Sequence, residues 1–305
     1  MQIPKMRTQP RLPSIPWKVI LWVLAALYTF MLPDAIIVYR DIVGAFGKDA
    51  AGKVPLIIVV VVGIAYALAV IISQKSFRNL LFLVPCAIIA FLIMKLVDNP
   101  NKHIHIPEYV LMAWLLFAVL SRDYKGKGLF LLIFVYATLL GVVDELEQGI
   151  NPARFYGLSD MMVNSASALI GVFTIMGLKK VIATDWAWAS HLKKYKALVG
   201  LGIFGFTGMV IMCTYLFRVQ ASGKFWGIYP EWLLIWNILY LLLAAAIPVL
   251  WWSLQKNRQT AKDEKDSFQS SVMKTARLWI IPLLVILFYM HALVIYVAIS
   301  GVNFD

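Results

Sequence analysis

Apolar runs of about 16 to 24 residues recur along the whole chain, each the length a helix needs to cross the hydrocarbon of a bilayer. Only helices and closed barrels satisfy their backbone polar groups in lipid. A barrel would show segments of about ten residues with alternating polarity, and none is present. With 61% hydrophobic and 14% charged residues, the chain lacks the charge to cover a soluble globule of its length. The fold class is therefore all-α, a polytopic transmembrane bundle. Nine spans are expected, at about 17–32, 55–74, 79–97, 106–121, 129–146, 159–180, 197–219, 231–254 and 278–300. The first follows a basic leader (Lys5, Arg7, Arg11) and lacks a small-residue cleavage site, so it reads as an uncleaved anchor.

The net charge of +12 is distributed by side of the membrane. The leader and the loops at 75–78, 122–127, 179–196 and 254–277 hold most of the basic residues. The opposite set holds only Arg40, Lys48, Lys53, Lys102, Arg154, Arg218 and Lys224. By the positive-inside rule the N-terminus is cytoplasmic and the C-terminus extracytoplasmic. The basic excess thus reports topology and contact with membrane lipids, and implies no nucleic-acid partner. Between the first two spans, the middle of "LPDAIIVYRDIVGAFGKDAAGK" suits a short interfacial helix. Residues 183–196, with Trp186 and Trp188, read as an inner interfacial anchor, and 255–277 as a polar cytoplasmic connector. Cys86 and Cys213 fall inside spans and read as free buried thiols. No phosphate-binding glycine loop, dinucleotide fingerprint, H-E-x-x-H or C-x-x-C occurs, so the sequence points to no cofactor and no metal.

Polar residues that are neither anchors nor loop filler gather on the outer side, at the ends of the fourth, fifth and sixth spans. "DNPNKHIHIPEYVLMAW" begins the fourth, where Pro107 suits a first helical turn and His105 and Tyr109, four apart, share a face. The fifth ends in Asp144, Glu145, Glu147 and Gln148, with Asp144 and Gln148 stacked and Glu145 about 100° round the helix. Arg154 follows in the loop. In the sixth, Ser159 is a candidate cap and Asp160 suits the positive end. Asp160, Asn164, Ser167 and Gly171 then form a polar-to-small stripe. A charge at the centre of a span costs roughly 2.5–3.5 kcal/mol even on the most lenient scale, so such groups persist when they pair or work. His291, alone in the last span, reads as a hydrogen-bonded packing residue, and Glu231 as an interfacial anchor.

Taken in order, these residues resemble the VanZ-like membrane protein family. Its pattern is K-x-x-H-x-x-x-Y, then D-E-x-x-Q, then P-G-R, then D-x-x-x-N-x-x-G-x-x-x-G. The chain supplies Lys102, His105 and Tyr109; Asp144, Glu145 and Gln148; Pro152 and Arg154; Asp160, Asn164 and Gly171, with Glu108 also fitting. Ala153, Asn101 and Ser167 depart from it. The resemblance covers about residues 78–180 and divides the chain into a 1–77 region, a VanZ-like four-span domain and a 181–305 region. It implies the bacterial cell envelope, the cytoplasmic membrane and a link to glycopeptide resistance, and names no reaction.

Three functional readings follow. In the first, Lys102, Tyr109, Gln148, Arg154, Asp160 and Asn164 bind an anionic lipid-linked or cell-wall-related headgroup, while Asp144, Glu145 and His105 supply acid or base. In the second, the cluster locks helices in a scaffold that docks on another membrane protein. In the third, it is part of a proton or solute path.

Overall fold

The computed structural model of the protein describes residues 14–73, 76–97, 99–124, 126–150, 156–179, 195–259 and 267–301. These residues form α1 (Ser14–Met31), α2 (Ala35–Phe46), α3 (Lys48–Ile72), α4 (Leu83–Leu96), α5 (His105–Leu120), α6 (Gly128–Ile150), α7 (Leu158–Leu178), α8 (Lys196–Ser222), α9 (Glu231–Gln259) and α10 (Ser267–Ser300). Short 3-10 turns at Leu32–Asp34, Phe77–Phe82 and Pro100–Ile104 precede α2, α4 and α5. No β-strand occurs among the described residues.

Helices α3 to α10 supply eight segments long and apolar enough to cross a membrane. A ninth exists only if α1 and α2, bent by 49° at Leu32–Asp34, are counted as one broken span. Pro33 explains the break, since it lacks the N–H that would continue the helix. The short helix expected between the first two spans is α2. Residues 181–194 and 260–266, where an inner anchor and part of a polar connector were expected, lie outside the described residues, as do residues 151–155. The connector is narrower than its polarity suggested, because α9 runs on to Gln259 and α10 begins at Ser267.

Helix α5 packs most extensively on α7, and both pack on α6, with α4 against the outside of α7. Glycines permit the closest approach: at Gly171 an added Cβ would stand 2.6 Å from Ala113 Cβ and 3.0 Å from the Val110 carbonyl. Helices α8, α9 and α10 pack on one another and join the first group chiefly through α10 on α6. Pro282 inside α10 strips the Leu278 carbonyl of its helical donor, and Tyr136 of α6 donates its hydroxyl to that carbonyl. One proline thereby ties the two groups together. Among the eight candidate spans α6 has the most buried apolar stretch, and it runs through the principal core.

Candidate functional site

Because α5, α6 and α7 follow one another antiparallel, the start of α5, the end of α6 and the start of α7 meet at one end of the bundle. Asp144 and Glu145 occupy consecutive positions near the end of α6, so they point about 100° apart, one to each neighbour. Asp144 faces α5, where Tyr109 donates its hydroxyl to Oδ2 at 2.9 Å, and Gln148, one turn on, donates to Oδ1 at 3.0 Å. Glu145 faces α7. There Asn164 Nδ2 donates to Oε1 at 3.4 Å and the Gly157 N–H donates to Oε2 at 3.3 Å. That amide belongs to the cap residue of α7, so the positive end of the helix faces the carboxylate. Both carboxylates are 0% exposed.

The rim is more open. Lys102, its side chain 29% exposed, reaches Asp160 Oδ1 at 2.6 Å and donates to Ser159 Oγ at 3.0 Å. Ser159 was a candidate cap for α7, but the helix begins two residues earlier, at the Gly157 cap. The Ser159 hydroxyl instead serves Lys102 and Asp160. His105 Nδ1 meets Glu108 Oε2 at 3.0 Å, and its ring lies 6.3 Å from that of Tyr109, as their spacing on one face requires. His103 is used structurally, against the Val97 carbonyl at 2.9 Å.

The stripe expected on α7 is present: Asp160, Asn164 and Ser167 are buried, and Gly171 sits in the seam with α5. Gly141 of α6 makes room for it, since a Cβ there would meet Asn164 Cβ at 3.0 Å and Tyr109 Cε1 at 3.2 Å. Asn164 Oδ1, Ser167 Oγ and Thr138 Oγ1 are buried without a hydrogen-bond partner among the described residues. Ser167 lies one turn beyond Asn164, and Thr138 two turns before Glu145, so the three follow facing sides of α6 and α7 inward from the carboxylates.

Of the residues singled out from sequence, Lys102, His105, Tyr109, Asp144, Glu145, Gln148, Asp160 and Asn164 come together; Arg154 and Pro152 lie outside the described residues. Several partners carried no sequence signal. Tyr28 of α1 donates to the Glu108 carbonyl at 2.9 Å, and Tyr289 of α10 donates to Glu147 Oε1 at 2.5 Å. Gln220 of α8 accepts from the Tyr156 N–H at 3.1 Å, and Tyr156 donates its hydroxyl to the Cys213 carbonyl. Burial pushes the Tyr156 phenol up from its ordinary value, which keeps it a donor.

Carboxylates outnumber cations in this set of described residues: Glu108, Asp144, Glu145 and Asp160 against Lys102 and His105. No group of three or more His, Cys, Asp or Glu side chains among the described residues is arranged to hold a metal ion. The chemistry these groups offer is proton transfer and hydrogen bonding at the buried pair, with one reachable cation at the rim. Comparison with protein-family models, with curated proteins and with solved structures yields no match.

Proposed function

We propose that this chain is a VanZ-like protein of the bacterial cytoplasmic membrane, with its N-terminus inside and C-terminus outside. Its polar site, at the extracytoplasmic face, binds or transforms an anionic lipid-linked or cell-wall-related substrate. The side of the membrane rests on the distribution of lysine and arginine along the chain. The observation that carries the reading is the pair Asp144 and Glu145, fully buried at the end of a span and each held by a different neighbouring helix. Two adjacent carboxylates in a span are costly to keep unless they work, and helix locking needs fewer. Above them Lys102 is the accessible cation among the described residues: an incoming phosphate or carboxylate can exchange for Asp160 on its ammonium group. His105 and Glu108, one turn inside the rim, then stand ready to accept or deliver a proton.

The test is complementation of a deletion strain, read as envelope integrity and glycopeptide susceptibility. Asp144→Asn and Glu145→Gln keep the shape and most of the hydrogen bonds. Both should fail to complement while membrane level and melting temperature stay at the wild-type value. Loss of folded protein in both variants would instead support the scaffold reading.

A second reading, proton or solute movement, is favoured by Asn164 Oδ1, Ser167 Oγ and Thr138 Oγ1, which continue inward from Glu145 without protein partners. Proteoliposomes carrying a pH-sensitive dye separate the two. Flux that Ser167→Ala and Thr138→Val abolish belongs to this second reading, and its absence leaves the first.

A further inference from the structure

Helix α3 meets the bundle near Gly52, through Val59, and again near Tyr66. At one end Gly52 lies against the turn before α5, where an added Cβ would meet Pro100 Cβ at 3.4 Å. At the other, Tyr66 donates its hydroxyl to the Asn79 carbonyl at 2.7 Å and packs so closely on Gly177 of α7 that no Cβ would fit there. Between these fastenings lies a lateral cleft of about 590 Å³, walled by α3, α4, α5 and α7. Small residues make it wide. Gly63, Ala87 and Ala90 line it, and a Cβ added at Gly63 would meet nothing within 4 Å.

The chemistry of the walls decides what can fill this space. The polar side-chain groups lining it are already engaged: Tyr66 as above, Trp114 Nε1 to Thr174 Oγ1 at 3.0 Å, Thr174 Oγ1 to the Gly171 carbonyl at 2.7 Å, and Cys86 Sγ to the Ile170 carbonyl at 3.6 Å. Water needs two to four polar partners to settle in a cavity, and these walls leave it few. Protein interiors keep few voids larger than a water molecule, because lining atoms facing a gap lose their dispersion contacts. The cleft opens sideways past Val62 and Leu111, both exposed, onto the surface that the bilayer covers. Its wall on α5, from Ile106 to Trp114, rises about 12 Å at 1.5 Å per residue, close to half of a hydrocarbon core about 30 Å thick.

We propose that the cleft holds one hydrocarbon chain of a membrane lipid, lying along α5 between Ile106 and Trp114. The inference goes beyond the reading of the carboxylate cluster and does not depend on it. Geometry nevertheless links the two. Ile106, Pro107 and Val110 face the cleft from the same turns of α5 whose other face carries His105, Glu108 and Tyr109. A lipid seated by its chain here has its headgroup at the level of Lys102.

The experiment uses the full-length protein in liposomes doped with a phospholipid that carries a diazirine at the end of one acyl chain. Photolysis and peptide mapping should place adducts on the α3 and α5 walls at about ten times the density on α9 near Ile235 and Leu242, as expected for a site favoured by ~1.4 kcal/mol over annular lipid. Gly63→Phe puts a ring into the cleft and should bring the walls down to the α9 density without altering α9 itself. Ala87→Leu, which fills the cleft from α4, should act in the same direction and serves if the phenylalanine variant fails to fold. Equal labelling of cleft and α9 in the wild type, or cleft labelling that a folded filled variant retains, overturns the proposal.

Discussion

His291 of α10 and Asp144 of α6 are equally hidden, each at 0% exposure within a span, yet their surroundings differ in kind. His291 is closed on both sides: Nδ1 meets Asn237 Oδ1 at 2.7 Å, Nε2 meets the Gly205 carbonyl at 3.0 Å, and Asn237 Nδ2 continues to the Tyr229 hydroxyl. Those four residues draw on α8, α9, α10 and the turn before α9. With the Asn237 amide turned about, a relay from Tyr229 through Asn237 and His291 to Gly205 satisfies every group while the imidazole stays neutral. Around Asp144 the groups are ionisable, carboxylates exceed cations among the described residues, Lys102 is accessible at one end, and buried oxygens continue inward from the other. A bundle that needs only to lock three helices can do so with neutral hydrogen bonds, as His291, Asn237, Tyr229 and Gly205 do between α8, α9 and α10, even though Trp236 Nε1 nearby is buried without a hydrogen-bond partner among the described residues. The charged set on α5 to α7 exceeds that need, which is the ground for the proposal that it works as a site.

The sharpest way to break this contrast is to neutralise one carboxylate without changing its shape. Glu145→Gln should lower whatever turnover the protein has by roughly 10²–10⁴-fold, the usual worth of a positioned acid or base, with melting within a degree or two of wild type. His291→Ala should do the opposite. It leaves the Asn237 amide and the Gly205 carbonyl facing a hole, which costs on the order of 3 kcal/mol and lowers the melting temperature by several degrees, with activity kept at permissive temperature. Equal thermal losses for the two variants, with equal losses of activity, would erase the distinction between the clusters.

Tyr109→Phe probes a smaller step. It removes one hydroxyl from Asp144 Oδ2 and leaves the ring in place, so stability should fall by about 1–2 kcal/mol, read as a downward shift in melting in a mild detergent. Activity should fall by more than this thermal loss accounts for, because Asp144 is then held by Gln148 without its partner from α5.

What the sequence made legible was local. Asp144 with Gln148, His105 with Tyr109, and the stripe from Asp160 to Gly171 all rest on helical spacings of three, four and seven, and each occurs as spaced. Contacts between distant segments were not legible. Tyr289 on Glu147 and Tyr136 on the carbonyl freed by Pro282 each join residues 142 apart. A span that is apolar on every side gives no period from which to tell which face meets which neighbour. The break at Leu32–Asp34 was legible, since the first span is expected to end at about residue 32 with a separate short helix after it. The cleft beside Gly63 was not, because a gap between helices leaves no mark on composition.

The smallest expected effect on stability bears directly on which groups are meant to move. Lys102 and Asp160 form the most accessible ion pair of the site, with the lysine side chain 29% exposed and Asp160 buried, so Lys102→Met alone would strand a buried carboxylate. Lys102→Met is therefore made together with Asp160→Asn, which leaves no unpaired charge, and the double variant should melt close to wild type with the new amide beside Ser159. If an anionic headgroup does enter at this rim, the double substitution lowers apparent affinity far more than it lowers stability. Lys102→Arg, which keeps the charge, should restore most of it. Titration of the purified protein with an anionic and with a zwitterionic phospholipid, in wild type and both variants, reads the difference. Affinity that falls only for the anionic lipid, and only in the double variant, assigns the rim its role; identical curves for all three proteins would make the Lys102 pair as structural as the one around His291.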